Sequence, residues 1–537
     1  MALLENYIVC GPKDNSDLPK KSMGMYFFEC LKKRNYHDVV YKDAVSGKTY
    51  SAGRLLEDSI KLVSVFKTLH IKKDDVVCII SENNIHYFVI ILAGLYMGVI
   101  INPLNPMYTQ GEFQHVFELT KPKLIICSDT VLPVLQKVNT VCPPFQIMLL
   151  NSSTNRDYRL SNMEELIQET CINTSSFKPL ELDYSSQLGL ILLSSGTTGL
   201  PKGVAYTHKN IRTLARTIKC LFLDAKSDWI IQFVPCFHVY GIMHYVGAII
   251  TQTKIVIMPQ FKTDVFLKCI EQHRVETIYG VPQVLGFLAH TDLLSIYDLS
   301  SIKYIFTGSA NTPRNVIVLL MQRLNGVKVL QLYGLTESSG VCIYQKPLNA
   351  KLSSIGTLVL DTYAKVSCLA TRQPLSAYAV GELCFKGDCI MKGYINNDKA
   401  TNEAIDSDGY LYSGDLGYYD EDKCFYIVDR IKDIIKYKGF QVSPAELENV
   451  ILKHPCVKDC GVVSLSDEKA GELPLAFVVL HEGKSVSENE IVDYVAERIS
   501  VQKRLYGGVR FLEKIPRNSI GKIQRSELRK LLKSFIQ

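Results

Sequence analysis

The chain has 537 residues, 47% of them hydrophobic and 21% charged, enough to bury a large core and long enough for more than one domain. Sixty Lys and Arg against 54 Asp and Glu give a formal net charge of +6; without a long basic block or basic helix, this leaves no nucleic-acid footprint. Sixteen cysteines are scattered with no C-x-x-C pair and no His/Cys cluster at zinc spacing, which argues against a disulfide framework and a structural metal, and for reduced thiols inside a cell.

The opening Met-Ala-Leu-Leu-Glu-Asn lacks a basic region followed by an apolar one, so no secretory signal is expected. Short β-branched runs then alternate with helix-length stretches. Asp75-Val-Val-Cys-Ile-Ile, Lys123-Leu-Ile-Ile-Cys, Leu188 to Leu193, Lys254-Ile-Val-Ile-Met and Lys303-Tyr-Ile-Phe predict buried strands of a layered α/β body. The most apolar run, Ile85 to Ile101 after Ser81-Glu82-Asn83-Asn84, is too short to span a membrane and carries His86, Gly94 and Gly98. It predicts a buried core helix and no transmembrane segment.

Between two of these runs stands Ser194-Ser195-Gly196-Thr197-Thr198-Gly199-Leu200-Pro201-Lys202-Gly203, directly after an apolar strand. Hydroxyl pairs, three glycines and a lysine in ten residues suit a loop that brings backbone N–H groups up to phosphate oxygens. It is not a Walker A loop, because Gly203 rather than Ser or Thr follows the lysine. From about Gly381 the texture shifts to short strands and turns, a small β-rich piece. A helix is expected to start at Ser443-Pro444, since Ser is a good N-cap and Pro suits the first helical position. The hundred or so residues from there onward suffice for a small independent domain. The polar turn Pro516-Arg-Asn-Ser-Ile-Gly521 predicts that Lys522 sits on an exposed loop. The closing Phe535-Ile536-Gln537 is not a Ser-Lys-Leu address. Cytoplasm is the expected compartment, with the peroxisome as an alternative that lacks this signal.

Six further motifs follow the Ser/Gly-rich loop in order: Phe237-His238-Val239-Tyr240-Gly241, Tyr333-Gly334-Leu335-Thr336-Glu337, Tyr412-Ser413-Gly414-Asp415, Asp429-Arg430, Lys436-Tyr437-Lys438-Gly439-Phe440-Gln441 and Gly521-Lys522. With them the chain resembles, over nearly its whole length, the adenylate-forming superfamily of acyl-CoA synthetases, 4-coumarate:CoA ligases and beetle luciferases. The run from Ile427 to Leu480 looks closest to the luciferase relatives. The resemblance implies a large amino-terminal multi-subdomain α/β body with a β-rich piece, residues 1–430, and a small mobile α+β domain, residues 431–537. A hinge is expected at 430–433, with Lys432 as pivot.

The resemblance also implies roles. Ser194, Ser195, Gly196, Thr197, Thr198 and Lys202 would hold the ATP phosphates, with Thr336 on the α-phosphate and Glu337 on Mg²⁺. Ser309, Ala310, Gln331, Tyr333 and Gly334 would face the nucleotide, and Asp415 with Arg430 the ribose. Lys522 would meet the reacting carboxylate and α-phosphate. Lys436 and Gln441 would touch the adenylate, and Lys438 and Gly439 would lie along the path of coenzyme A. His238, Tyr240, Ser309 and Gly334 would shape the acid pocket. Two anions must meet, so cations are what the chemistry requires.

Departures from the pattern are Thr307-Gly308-Ser309-Ala310-Asn311-Thr312 in the adenine segment, Leu332 where glycine is common, Leu214 between Arg212 and Arg216 where luciferases carry an arginine, and Val239 after the pocket histidine. The expectation is therefore an ATP-dependent acid:CoA ligase acting on a medium- or long-chain fatty acid or an aromatic acid. The alternatives are a luciferase-type monooxygenase and a non-catalytic binding protein on the same scaffold. Lys202, Glu337, Asp415, Arg430 and Lys522, all present, argue against the last.

Overall fold

The computed structural model describes residues 7–13, 18–138, 145–150, 160–194, 201–310, 312–438, 440–467, 470–518 and 521–536. The side chains of Gln441 and of residues 533–536 lie outside that description. Within it the fold is mixed α/β, with a large amino-terminal body followed by a smaller carboxy-terminal domain.

The body is built around a mostly parallel sheet whose strand order runs Gly393–Tyr394, Lys202–Thr207, Leu188–Ser194, Ile100–Leu104, Val76–Ile80, Leu124–Cys127, Gln146–Leu149 and Ser161–Asn162. The predicted strands at 76, 124 and 188 fall here because their runs of Val, Ile and Leu are covered on both faces. A second sheet orders Trp229–Gln232, Lys254–Ile257, Val39–Asp43 and Thr49–Ser51. A third orders Thr277–Gly280, Tyr304–Thr307, Lys328–Leu335, Gly340–Tyr344 and Thr357–Leu358. The β-rich piece is an antiparallel sheet of Val9–Cys10, Thr362–Ser367, Gly381–Gly387, Leu411–Tyr419 and Phe425–Arg430.

The apolar run from Ile85 divides, which corrects the single helix expected of it. The helix is Tyr87–Met97, with residues 87–96 buried. Gly98 ends it at φ +72°, a left-handed position that costs glycine little, and the chain re-enters the sheet as Ile100–Leu104 beside Val76–Ile80. Each large apolar side chain buried there contributes roughly 1.5–3 kcal/mol. Among the described residues no helix is long and apolar enough to cross a membrane.

Beyond the strand Phe425–Arg430, the strands Ile435–Tyr437, Phe440–Val442, Gly471–Leu480, Val457–Asp467 and Gly508–Phe511 form a separate sheet. Its two faces carry apolar clusters drawn from residues 435 onward, including Leu447, Ile451, Ile491 and Val495 on one side and Leu528 and Leu532 on the other. The helix expected at Ser443-Pro444 runs from Pro444 to Ile451, with the Ser443 hydroxyl accepting the Glu446 N–H and Pro at the first position.

Candidate active site

The Ser/Gly-rich loop joins two antiparallel strands, and Ser194 and Lys202 face each other at its mouth. Residues 195–200, with Ser195, Gly196, Thr197 and Thr198, lie outside the described residues, as do Asn311 and Gly439. His115, unremarked in the sequence, approaches the end of the loop, its Nε2 lying 3.0 Å from the Pro201 carbonyl.

Lys202 is joined to the Thr336-Glu337 motif by a residue that sequence reasoning missed. Tyr394 lies in a two-residue strand paired with Val204 and Ala205. Its ring takes the Lys202 ammonium 4.8 Å from the centroid, and its hydroxyl donates to Glu337 Oε1 at 2.8 Å. Burial and the Glu337 carboxylate push the phenol pKa upward, so it remains a donor. Thr336 and Glu337 form a short 3₁₀ turn; the Thr336 carbonyl accepts the buried Tyr206 hydroxyl, and that of Glu337 accepts the Met391 N–H at 2.9 Å. No local signal marks Tyr394, because its partners lie 57 and 192 residues away in the chain.

Asp415 and Arg430 face each other on neighbouring antiparallel strands of the β-rich sheet, with Arg430 Nε 2.8 Å from Asp415 Oδ1. The other carboxylate oxygen accepts the Tyr333 hydroxyl at 2.7 Å. Gly414, at φ +72°, donates its N–H to buried Glu382 at 2.9 Å, which fixes the turn that presents Asp415.

Lys522 enters this group from the small domain. It is on a loop, as expected, yet half-buried rather than exposed: its neighbours include Arg430, Asp415, Lys432 and Asp433. Burial, reinforced by the Arg430 charge, lowers its pKa from 10.5 to about 8. A methyl added to Gly521, at φ +78°, would lie 3.0 Å from Gln283 of the body, so the loop packs closely against the helix Pro282–His290. Lys436 and Lys438, by contrast, are exposed. The Lys436 N–H donates to Glu472 at 2.7 Å, and the Lys438 ammonium rests 5.4 Å from the Tyr437 ring centre.

His238 is the N-cap of the helix Val239–Thr251, and burial lowers its imidazole pKa to about 4, so it is neutral near pH 7. Tyr240 is buried with its hydroxyl donating to the Gly280 carbonyl at 3.1 Å. Ser309, at φ +73°, and Gly334 are exposed, with Ala310 half-buried beside Ser309. Gly334 is required by space: a Cβ there would lie 1.6 Å from the Gly340 carbonyl oxygen. Leu214 and Val239 both approach Gly340, so the wall there is aliphatic. Arg212 and Arg216 are engaged elsewhere, Arg212 with the Leu18 and Pro19 carbonyls, Arg216 with Asp361 at 2.9 Å and the Leu360 carbonyl at 3.1 Å.

Leu332 is accommodated because position 308 lacks a side chain; a Cβ on Gly308 would meet Leu332 Cβ at 3.3 Å. Gln331 is buried and donates its carboxamide N–H to the Ser354 carbonyl at 3.2 Å, so that amide is spent inside the body.

Polar groups from three sheets of the body, Lys202, Tyr333 and the Asp415–Arg430 pair, gather around the Thr336-Glu337 turn, with a loop of the small domain packed against the body. The AMP-binding enzyme family matches residues 28–395 and the AMP-binding enzyme C-terminal domain matches residues 446–522, so the chain belongs to the adenylate-forming AMP-binding enzymes. Over 538 residues it is 37% identical to "Luciferin 4-monooxygenase" of Nipponoluciola cruciata, covering 98% of this chain and 97% of the relative. It is 34% identical over 540 residues to "Probable 4-coumarate--CoA ligase 1" of Dictyostelium discoideum, covering 97% and 96%. Its fold matches the crystal structure of ATP-bound MatB from Rhodopseudomonas palustris with a TM-score of 0.87, at 22% identity and 96% and 100% coverage.

Proposed function

We propose that the chain is an ATP-dependent carboxylic acid:CoA ligase working in two steps, with a medium- or long-chain fatty acid or an aromatic acid as substrate. In the first step an acid carboxylate oxygen attacks the α-phosphorus of ATP; the bond to the bridging oxygen breaks and pyrophosphate leaves. In the second, a coenzyme A thiolate attacks the acyl carbon of the adenylate and AMP departs with the electron pair. The observation that carries this reading is the packing of the Lys522 loop against Gln283 of the body, which brings a cation of the small domain within electrostatic reach of the Asp415–Arg430 pair.

Lys522 neutralises charge as carboxylate and α-phosphate meet, with Thr336 on the α-phosphate. Asp415, held by Tyr333 and Arg430, accepts the ribose hydroxyls. Lys202 and the residue 194–198 loop hold the outer phosphates; Ser309, Ala310 and Gly334 line the base, while Gln331, its amide bound to Ser354, supports them from inside the body. His238, Tyr240, Ser309 and Gly334 bound the acid, and the aliphatic Leu214 and Val239 favour an uncharged tail. Mg²⁺ fits Glu337: one carboxylate beside phosphates suits an ion that keeps waters and binds few protein ligands. When bound it would offset phosphate charge. Lys436, Lys438, Gly439 and Gln441 act in the second step, after residues 431–537 swing about 430–433. Exposed Lys436 and Lys438 support that division of labour.

Pyrophosphate release across fatty and aromatic acids, followed by thioester formation on adding coenzyme A, tests the proposal. Acid-independent release, or acid-dependent release without thioester, would sink it. The 37% identical luciferin monooxygenase supports a second reading, oxygenation of a luciferyl adenylate; light from luciferin, ATP and oxygen would mark it.

A further inference from the structure

The last strand of the β-rich sheet carries a buried carboxylate that the roles above leave unused. Asp429 stands next to Arg430, and its Oδ1 accepts the Arg430 N–H at 2.7 Å. Its Oδ2 reaches into the small domain, accepting the Ala445 N–H at 3.0 Å and the Ser443 hydroxyl. Ser443 is the N-cap of the helix Pro444–Ile451 and Ala445 its second residue. A helix start leaves N–H donors without intrahelical partners. Here Pro444 has none to satisfy, Ser443 takes that of Glu446, and a side chain from the other side of the hinge takes that of Ala445. A carboxylate at this end is further favoured by the helix dipole.

The capped helix is linked in turn to the Lys522 loop. Glu448, on that helix, pairs with Arg525 at 2.7 Å, three residues past Lys522. Arg517, before it, donates to the Gly521 carbonyl at 2.8 Å while pairing with Asp459 at 2.8 Å. Arg529 lies 3.6 Å from Asp433 of the hinge.

We propose that Asp429 is a positioning residue for adenylation: by completing the cap of Pro444–Ile451 across the hinge, it clamps the small domain in the orientation that delivers Lys522 to Asp415 and Arg430. Asp429 precedes Lys432 and its partners follow it, so a swing about Lys432 draws Ser443 and Ala445 off the carboxylate, and the clamp belongs to the first half-reaction alone. This rests on the two-step reading above.

The test separates the half-reactions in the full chain. Asp429→Ala should slow acid-dependent ATP–pyrophosphate exchange about tenfold, the upper range for loss of a helix cap. Thioester formation from supplied acyl adenylate should stay within about twofold of the parent, a split that general destabilisation does not produce. Asp429→Asn, whose carboxamide oxygen still accepts the Ala445 N–H, should recover most of the exchange rate. Adding Ser443→Ala to Asp429→Ala should cost little more, because both act through one cap. Equal slowing of both half-reactions, or no recovery in Asp429→Asn, overturns the clamp. A parent without exchange on any acid would overturn the ligase reading instead. The clamp is then judged by hydrogen exchange at the Ala445 amide, which must quicken in Asp429→Ala if it is correct and overturns it if unchanged.

Discussion

The hydroxyl of Tyr333 donates to Asp415 Oδ2 at 2.7 Å, joining a strand of the third sheet to one of the β-rich sheet across 82 residues of chain. Arg430 holds the other oxygen, so the carboxylate is fixed from two sides before any ligand arrives. Removing one support leaves the charge in place but loosens its aim. Tyr333→Phe should raise the KM for ATP about fivefold with a smaller change in kcat, in line with roughly 1 kcal/mol for such a bond. Steady-state kinetics with ATP varied will read this; an unchanged KM would mean that Asp415 is held by Arg430 alone.

Lys522 sets a pH limit. In the proposed reaction its ammonium is the useful form, and its pKa of about 8 makes that form dominant below pH 8 and scarce above it. The kcat/KM for adenylation, which reports the free enzyme, should therefore fall as pH rises through about 8. Lys522→Arg, charged at every accessible pH, should lose that descent, and Lys522→Ala should lose about a hundredfold in rate. His238, with a pKa of about 4, should add no inflection near 6.5. Pyrophosphate exchange from pH 5 to 10 measures all three, and a profile shared by parent and Lys522→Arg would remove Lys522 from the reaction.

Lys432 is exposed between Arg430 and Asp433, whose carbonyl and N–H bond to each other at 3.0 Å. Proline at 432 fixes φ near −65° and stiffens the turn. Lys432→Pro should leave adenylation within about threefold of the parent while slowing thioester formation tenfold or more, on the order expected when a gating motion is blocked. Single-turnover assays of each step decide it; equal losses would remove the hinge from this position.

Gly334 has no room for a methyl group beside the Gly340 carbonyl. Gly334→Ala must move one strand of the pair, and both half-reactions should fall at least about tenfold, with a lower melting temperature at a cost of about 1–3 kcal/mol. Parental activity and melting in that variant would contradict the close approach.

Much of this was legible along the chain. The strands at Val76, Leu124 and Leu188 follow from local runs of β-branched and aliphatic residues, and the helix at Pro444 follows from Ser443 as cap, because those preferences act over a few residues. The motif residues Lys202, Glu337, Asp415, Arg430 and Lys522 were visible for the same reason, as short spelled patterns. The apolar run at Ile85 misled because hydrophobicity alone does not separate a buried helix from the buried strand that follows it; Gly98 marks the break.

What only the tertiary structure decided are the meetings between distant segments. Tyr394 bridges Lys202 and Glu337, Gln331 spends its amide on Ser354, Arg212 and Arg216 serve the body, and Asp429 caps a helix of the small domain. Composition, capping and strand pattern are properties of neighbouring residues, so the chain alone determines them. Which buried donor finds which acceptor depends on how sheets and domains pack, and no spacing in the sequence encodes that.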